Sequence, residues 1–354
     1  MPRVIMAQGG ATALMPDVAG ETAARDSARP SEPARLHTCP GCGAEVFCEH
    51  LESRGASHRL ACRSCGLQFW WPLAGASAEW YAAHGTTTAD WCDSLVRPGH
   101  RRFLAQPPIR SGRLLDIGCG HGLFLSLARD RAGLDAWGLD WDVRAVEFGR
   151  RCRGLTHLYA QSIEEFAAAR GGEGFDAVTL FEVLEHQDDP VACLSRAAAL
   201  LKPGAVLAGS VPNRNRLVIG PREGWDYPPQ HLLWFHQRSL MSLLQRSGFE
   251  DIRIHALLDT AALTHQILAR FSWGLASRVV PMPDPPASNV TELGPGEWSR
   301  LKARPAPFGY RITTIAKKIL LAPVLVPALL LGQAVPSLRH TLYFEGRRRG
   351  GARS

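Results

Sequence analysis

The sequence lacks an apolar run near its N-terminus that is long enough for a secretory signal, and residues 1–38 are rich in Ala, Gly, Pro and small polar side chains. We therefore expect a disordered tail over 1–36 and a cytoplasmic protein. Because the cytoplasm is reducing, disulfides are disfavoured, and the nine cysteines are expected to bind a metal or to remain free thiols.

Acidic residues are scarce at the C-terminal end, where residues 300–354 contain eleven Lys and Arg but a single acid, Glu345. The whole chain has 40 Lys and Arg against 33 Asp and Glu, so residues 1–299 carry 29 basic and 32 acidic side chains, a net charge of −3. A nucleic-acid-binding domain concentrates positive charge on its folded surface. This mildly acidic body therefore disfavours nucleic acid as the partner.

The sequence also lacks the GxGxxG motif with which dinucleotide enzymes seat a pyrophosphate. Instead, an apolar run leads into Asp116-Ile-Gly118-Cys-Gly120-His-Gly122, where alternate glycines let the backbone pass close beneath a ligand. An acid before the glycines favours a ligand that bears an ammonium group over a phosphate. Asp140 ends the next apolar run, where a carboxylate can accept hydrogen bonds from both hydroxyls of a ribose.

Apolar runs alternate with helical periodicity from residue 113 onward, which predicts an α/β fold with a doubly wound, mostly parallel sheet. The predicted strands are Arg113–Ile117, Asp135–Leu139, Leu155–Tyr159, Phe175–Phe181 and Ala205–Val211. The predicted helices are Leu123–Arg131, Val143–Arg151, Ile163–Arg170 and Pro190–Leu201. Lys202-Pro-Gly204 is a typical helix stop. In such folds the ligand lies at the carboxyl ends of the strands.

Two Cys-x-x-Cys pairs, each followed by glycine, precede the predicted sheet. Their members are Cys39, Cys42, Cys62 and Cys65. Four thiolates at this spacing can close a tetrahedron around Zn²⁺ with no open position for water, which predicts a small structural zinc ribbon. Cys48 and His50 are competing ligands. Nucleic-acid binding is the alternative role of such a ribbon, and the mixed charges between the two pairs favour the structural role.

The glycine loop and Asp140 resemble the class I S-adenosylmethionine-dependent methyltransferases. Phe175–His186 looks like that family's fourth strand and the loop after it, and 200–213 resembles the fifth-strand region of ubiquinone-biosynthesis O-methyltransferases. The stretch 231–249 is similar to the family's late helix and sixth-strand entry. The resemblance implies a seven-stranded, Rossmann-like sheet whose last strand is Thr341–Glu345. The ribbon followed by 65–72 resembles a subgroup associated with glycan or cell-envelope modification.

This resemblance also implies roles for residues around the cofactor, S-adenosylmethionine. Asp116, Gly118, Gly120 and Gly122 would lie beneath its methionine part, and Asp140 would hold the ribose. Trp141 would lie against the adenine, and Phe181 and Glu182 would close the pocket. Many relatives have an aspartate after the third strand that meets the adenine amino group, whereas this chain has Ser162, which can still accept a hydrogen bond and is expected to contact the cofactor there.

Methyl transfer to a hydroxyl requires a base for the acceptor's proton. The candidates are His186, Glu185 and, from a later loop, His231. His186 has loop formation or helix capping as an equal alternative. We expect O-methylation of a small-molecule, glycan or lipid-linked acceptor. The alternatives are a zinc-ribbon RNA-binding protein or RNA methyltransferase, and a scaffold that keeps the fold without catalysis.

Residues 319–338 contain no charged side chain and are long enough to cross a membrane, which takes about twenty apolar residues. Three prolines and the strand predicted after it argue against a span. The open alternatives are an insertion in a membrane interface, with peripheral contact through 311–349 at the inner face, and a buried helical hairpin. The predicted organisation is tail 1–36, zinc ribbon 37–72, lid or linker helices 73–110, core 111–258, insertion 259–338, last strand 339–346 and basic tail 347–354.

Overall fold

The computed structural model describes residues 36–77, 96–170, 174–216, 226–260 and 335–350, and the single positions 80, 323 and 327. The predicted N-terminal tail, most of the insertion over 259–338 and the lid helices over 81–95 lie outside the described residues. Within the described ranges, no helix is long and apolar enough to cross a membrane.

The N-terminal part of the described chain consists of short strands, and a succession of helices and strands follows. The first strands are β1 (Leu36–Thr38), β2 (Glu45–Phe47), β3 (Glu49–Arg54), β4 (Ser57–Ala61) and β5 (Gln68–Trp71). The next elements are α1 (Pro98–Ala105), β6 (Arg113–Ile117), α2 (Leu123–Ala132), β7 (Asp135–Asp140), α3 (Val143–Arg153), β8 (His157–Ala160), α4 (Ile163–Arg170) and β9 (Phe175–Phe181). The last are α5 (Pro190–Leu200), β10 (Leu201–Pro212), β11 (Leu233–Trp234), α6 (Gln237–Arg246), β12 (Phe249–Leu257) and β13 (Thr341–Arg348).

Seven strands form the central sheet, in the order β12-β13-β10-β9-β6-β7-β8. The five strands from β10 to β8 are parallel, and β13 runs antiparallel between β10 and β12. The predicted mostly parallel, seven-stranded α/β fold is thus confirmed. The chain winds outward from β6 to β8 and then returns to β9, so the order reverses between β6 and β9. In open α/β sheets this reversal opens a crevice at the carboxyl ends of the strands, which positions the site.

Helices cover both faces of the sheet, because the parallel strands are apolar on both sides. On one face, Phe124 and Leu125 of α2 and Val146 of α3 pack with Leu114 and Leu158. The core of the other face is continuous with that of the N-terminal strands, and it joins Leu67 and Phe69 to the buried residues of β9, β10 and α6. The N-terminal sheet, which contains β3, β4 and β5, therefore shares one hydrophobic core with the central sheet.

The predicted helix stop at Lys202–Gly204 lies inside a strand. Leu201 already pairs with Phe175 of β9, and the register then shifts before Val206 pairs with Ala177. The turn-forming residues therefore make an irregularity within β10, where Gly204 has a φ of +74°. The sequence pattern found the interruption correctly but assigned it to the end of the helix.

Candidate active site

The glycine loop follows β6 and is held against the end of β7. The N–H groups of Gly118 and Cys119 both donate to the carbonyl of Leu139, at 2.8 and 2.9 Å. Gly122 precedes α2 with a φ of +73°, and a Cβ placed on it would be 2.4 Å from Leu155 Cδ1. Only glycine fits there, because a side chain would meet both backbone strain and a buried leucine.

Asp140 ends β7 and ties this strand to the glycine loop. Its Oδ2 accepts a 2.7 Å hydrogen bond from the Gly120 N–H, and its Oδ1 accepts one of 2.9 Å from the Asp142 N–H. Burial raises the pKa of the Asp140 carboxyl above its ordinary value. Each carboxylate oxygen has a second lone pair, so a fixed and partly desolvated carboxylate can also accept two ligand hydroxyls.

Asp116 lies beneath the loop and is only 3% exposed. Its Oδ1 accepts a 2.7 Å hydrogen bond from the hydroxyl of Thr179, which is fully buried. Burial raises the pKa of the Asp116 carboxyl to about 8, with Asp140 adding to the rise and the Thr179 hydrogen bond opposing it. Near neutral pH the carboxyl is therefore mostly protonated in the free chain, and a nearby cation would favour its ionisation.

The other residues assigned to the cofactor pocket have different surroundings. Trp141 is 63% exposed beside Asp140, which leaves its ring accessible to a ligand. Ser162 is a helix cap, because its hydroxyl accepts a 3.1 Å bond from the Glu165 N–H and the Glu165 carboxylate accepts one from the Ser162 N–H. Phe181 is buried against Phe124, with ring centroids 4.7 Å apart. The contacts of Trp141, Ser162 and Phe181 with a cofactor stay predictions.

The three side chains named as candidate bases lie together at the carboxyl edge of the sheet. Glu185 and His186 belong to a single 3₁₀ turn, Leu184–His186, that follows β9. His186 Nε2 is 3.8 Å from Glu185 Oε1, and the rings of His186 and His231 are 4.8 Å apart between centroids. The potential ligand atoms of the three side chains all lie within 4.8 Å of one another. The three side chains can accept or donate a proton, and the same nitrogen and oxygen atoms could bind a divalent cation.

The tautomer of His186 is fixed by its neighbours. Its Nδ1 lies 2.9 Å from the carbonyl oxygen of Gln230, which can only accept, so Nδ1 carries the proton. Nε2 is then the unprotonated nitrogen of the neutral ring. Burial and the nearby His231 lower the pKa of His186 to about 4, so the ring is neutral near pH 7. A histidine in this state can accept a proton.

Glu185 is the most buried acid of the group, with 1% of its surface exposed. Among the described residues, neither of its carboxyl oxygens has a hydrogen-bond partner. Burial and the charge of Glu182 raise its pKa well above the ordinary value, which favours the protonated form of the carboxyl. An unpartnered polar group costs free energy in a protein interior, which indicates that a ligand or a proton acceptor completes this site.

Comparison with known proteins decides the family. A family model described as a methyltransferase domain matches residues 89–254. A ubiquinone biosynthesis O-methyltransferase of Roseobacter denitrificans is 36% identical over 201 residues, which cover 50% of this chain and 79% of the relative. The chain belongs to the class I S-adenosylmethionine-dependent methyltransferases.

Further relatives of this methyltransferase match the same region. A ubiquinone biosynthesis O-methyltransferase of Cereibacter sphaeroides is 38% identical over 152 residues, or 39% of this chain and 61% of the relative. The chain thus spans less than two thirds of that relative's length. A crystal structure of a SAM dependent methyltransferase from Archaeoglobus fulgidus has 17% identity and a TM-score of 0.43, covering 73% of this chain and 96% of that one. At that level the structural likeness adds nothing to the sequence match.

Sequence analysis missed Asp226 and Arg216 of this methyltransferase. Asp226 is 4% exposed, its Oδ1 lies 3.5 Å from His231 Nδ1, and it forms an ion pair with Arg216. Burial opposes ionisation of Asp226, but the His231 hydrogen bond and the Arg216 charge hold its pKa below the ordinary value. The carboxylate therefore orients the His231 ring. The signal available in the sequence was weak: an acid five residues before a candidate histidine.

The four ribbon cysteines of the methyltransferase also come together. The Sγ atoms of Cys39 and Cys65 are 3.7 Å apart, those of Cys42 and Cys62 are 3.8 Å apart, and all four lie within 4.8 Å of one another. After each pair a glycine N–H returns to the carbonyl of the first cysteine, from Gly43 to Cys39 and from Gly66 to Cys62. Neither Cys48 nor His50 belongs to the cluster. Four thiols in this arrangement fit a tetrahedral zinc ion.

Proposed function

We propose that this chain transfers a methyl group from S-adenosylmethionine to a hydroxyl oxygen of a small-molecule acceptor. One observation carries the proposal: neutral His186 lies beside buried Glu185 at the crevice edge of the sheet. Its Nδ1–H donates to the Gln230 carbonyl, so its unprotonated Nε2 lies on the side of Glu185. The names of the relatives support oxygen as the methylated atom. S-adenosylmethionine supplies the methyl group as a sulfonium, which needs no further activation.

In this proposal the chain's own residues bind the cofactor and exclude water. The backbone of the glycine loop lies beneath the methionine part, and Asp140 accepts the two ribose hydroxyls. Asp116 balances the ammonium group from below the loop. Because the reaction is an in-line displacement, much of the rate comes from holding the acceptor oxygen in line with the methyl group.

The acceptor proton moves to His186 Nε2. The carboxyl oxygens of Glu185, of which Oε1 is 3.8 Å from Nε2, stabilise the positive charge on the His186 ring, and His186 then releases the proton to solvent. His231, oriented by Asp226, forms the second wall of the acceptor site, with its ring against that of His186. His186 is thus the proposed base, and Glu185 and His231 are proposed to support it.

Replacing His186 with glutamine should lower kcat about 10²- to 10⁴-fold, the usual contribution of a positioned base. Transfer of labelled methyl groups to catechol, a probe with acidic hydroxyls, would measure this. Affinity for S-adenosylhomocysteine should stay within about threefold, since the glycine loop is unchanged. His50→Gln, on the exposed edge of the N-terminal sheet, is the matched control. Full turnover of His186→Gln would rule out its role as base, and wild-type transfer to amines but no hydroxyl would contradict O-methylation.

Cofactor binding should release a proton from Asp116. At pH 7 this carboxyl is mostly protonated in the free chain, because its pKa is about 8. The ammonium of S-adenosylhomocysteine favours the ionised form, so affinity should rise with pH from 6 to 8. Calorimetry in two buffers of different ionisation enthalpy would count the released protons, and about one is expected. Asp116→Asn should abolish the release; equal binding enthalpies in both buffers for the unaltered chain would contradict this role.

We also propose that Cys39, Cys42, Cys62 and Cys65 hold one structural zinc ion.

We further propose that the acceptor is linked to a glycan or a lipid and that residues 311–349 contact a membrane. In the described part of that range, Arg347 and Arg348 donate to the carbonyls of Gly204 and Leu201. These two arginines therefore bind the sheet, so any attraction to anionic lipids would depend on the other basic residues of the segment.

A further inference from the structure

The four-stranded N-terminal sheet takes one of its strands from the methyltransferase core. Its order is β11-β5-β4-β3, so the strand next to β5 comes from a part of the chain more than 160 residues later. Leu233 pairs with Phe69 and Trp234 with Gln68. β5 begins three residues after Cys65, and β11 begins two residues after His231. The zinc cluster and the acceptor site are therefore joined through one pair of strands.

The peptide groups of Leu232 connect the two parts most closely. The Leu232 carbonyl accepts a 2.9 Å hydrogen bond from the N–H of Trp70 in the ribbon. The Leu232 N–H donates a 2.8 Å bond to the carbonyl of Glu185. Leu232 is fully buried, so neither bond can be replaced by water without opening the structure. One residue thus links the ribbon to Glu185 and lies next to His231.

The chain leaving the ribbon makes a second connection to the same site. The Ala76 N–H donates to the carbonyl of Pro229 at 3.0 Å. Gly75 lies close to the Leu184–His186 turn, because a Cβ on it would be 3.2 Å from the His186 carbonyl oxygen. Ribbon arginines add side-chain contacts: Arg59 lies 4.4 Å over the ring of Trp234. The acceptor half of the site, meaning Glu185, His186 and His231 with the segment before β11, is therefore contacted both by β5 and by the chain that leaves the ribbon.

The cofactor half of the site, meaning the glycine loop and Asp140, is held by other elements. Asp140 bonds to Gly120 and Asp142, and the glycine loop bonds to Leu139. These contacts lie within β6, β7 and the loops that follow them. Loss of ribbon structure should then affect the acceptor half and spare the cofactor half.

We propose that the zinc ribbon is the positioning element of the acceptor site, acting through β5 on Leu232 and thereby on Glu185 and His231. The role of that site rests on the proposed function, whereas the coupling between ribbon and segment does not. The ribbon residues touch neither cofactor nor reacting atoms in this scheme. They set the positions of Glu185 and His231, the two side chains that support the proposed base, His186.

Hydrogen exchange of the full chain, with and without zinc, tests this coupling. Chelation of zinc, or Cys42→Ser, should speed exchange over 226–235 by about tenfold or more, including the Leu232 amide. Exchange over β6 and β7, and calorimetric affinity for S-adenosylhomocysteine, should change by less than about threefold. Cys152→Ser, a cysteine on α3 outside the ribbon, is the matched control. Unchanged protection of 226–235 would overturn the proposal, and so would equal loss of protection throughout the core.

Trp70→Ala removes a ribbon side chain that packs against the segment, and it leaves the four cysteines and the backbone bond to Leu232 in place. Its ring is fully buried in the ribbon and lies 5.9 Å from that of Tyr227, between centroids. The variant should retain one zinc per chain by elemental analysis and still loosen 226–235 selectively. Retained zinc with an unchanged segment would overturn the proposal. Neither measurement uses turnover, so a wrong acceptor or an absent activity would leave the result on coupling intact and would count only against the proposed function.

Discussion

Asp140→Ala should weaken binding of S-adenosylhomocysteine by about 100-fold or more. Two hydroxyls bound to one carboxylate contribute on the order of 3 kcal/mol, since a hydrogen bond to a charged group is worth about 1.5 kcal/mol or more, and 3 kcal/mol corresponds to a factor of about 100. The variant also removes the acceptor of the Gly120 and Asp142 N–H groups, which takes away one of the links between the glycine loop and β7. Isothermal titration calorimetry would measure the loss directly.

The control for this variant lies on the same strand. Asp135 begins β7, five residues from Asp140, and its side chain is 48% exposed. Asp135→Ala should therefore leave the affinity unchanged. Asp140→Asn keeps one acceptor oxygen and should give an intermediate loss. Affinity of Asp140→Ala within about threefold of the unaltered chain, with the fold intact by circular dichroism, would show that the ribose site is elsewhere.

The cofactor half was predictable from sequence because its signals are local. Parallel strands buried on both faces are continuous apolar runs, and β6 and β9 have the predicted bounds. Gly118, Gly120 and Gly122 all have positive φ, a conformation that only glycine adopts readily. Asp140 follows from the length of one βα unit. Each of these features is encoded within about 25 residues of the chain.

The acceptor half depends on contacts between distant segments, and the sequence did not predict them. No hydrophobic periodicity in the sequence indicates that β11 pairs with β5 or that Leu232 bonds to Glu185. The orientation of His231 by Asp226 is a side-chain contact whose geometry is set by the turn between them. The sequence placed three candidate bases at one edge of the sheet, and the structure brings their side chains together, but their roles as bases stay predictions.

The capping role of Ser162 was available in the sequence but was not used. Ser162-Ile-Glu-Glu165 has the serine and glutamate spacing of a capping box, directly before α4. The resemblance to the family implied an adenine contact for Ser162 instead. A serine that already accepts the Glu165 N–H has one remaining lone pair, so its contact with a cofactor, if made, is added to the cap.

Gly209→Ala should destabilise the fold by about 3 kcal/mol or more, since a clash with backbone in a packed sheet cannot be relieved by a side-chain rotation. Gly209 lies in β10, opposite Leu180 of β9 and Phe344 of β13. A Cβ there would be 2.2 Å from the Leu180 carbonyl oxygen and 2.6 Å from Phe344 Cζ. The next residue, Ser210, donates a 2.6 Å hydrogen bond to Glu182, so the displacement would also reach the site.

Gly204→Ala is the matched control for Gly209→Ala, because Gly204 lies in the same strand but has no neighbour with which a Cβ would clash. Its φ is +74° and a Cβ would meet nothing within 4 Å, so the cost is the left-handed backbone alone, roughly 1 kcal/mol. Urea unfolding followed by circular dichroism would compare the two midpoints. A Gly209→Ala midpoint no lower than that of Gly204→Ala would mean that β9, β10 and β13 do not approach as closely as described. The larger loss is expected for Gly209→Ala because its Cβ would clash with the backbone of β9, the strand that leads into the turn with Glu185 and His186.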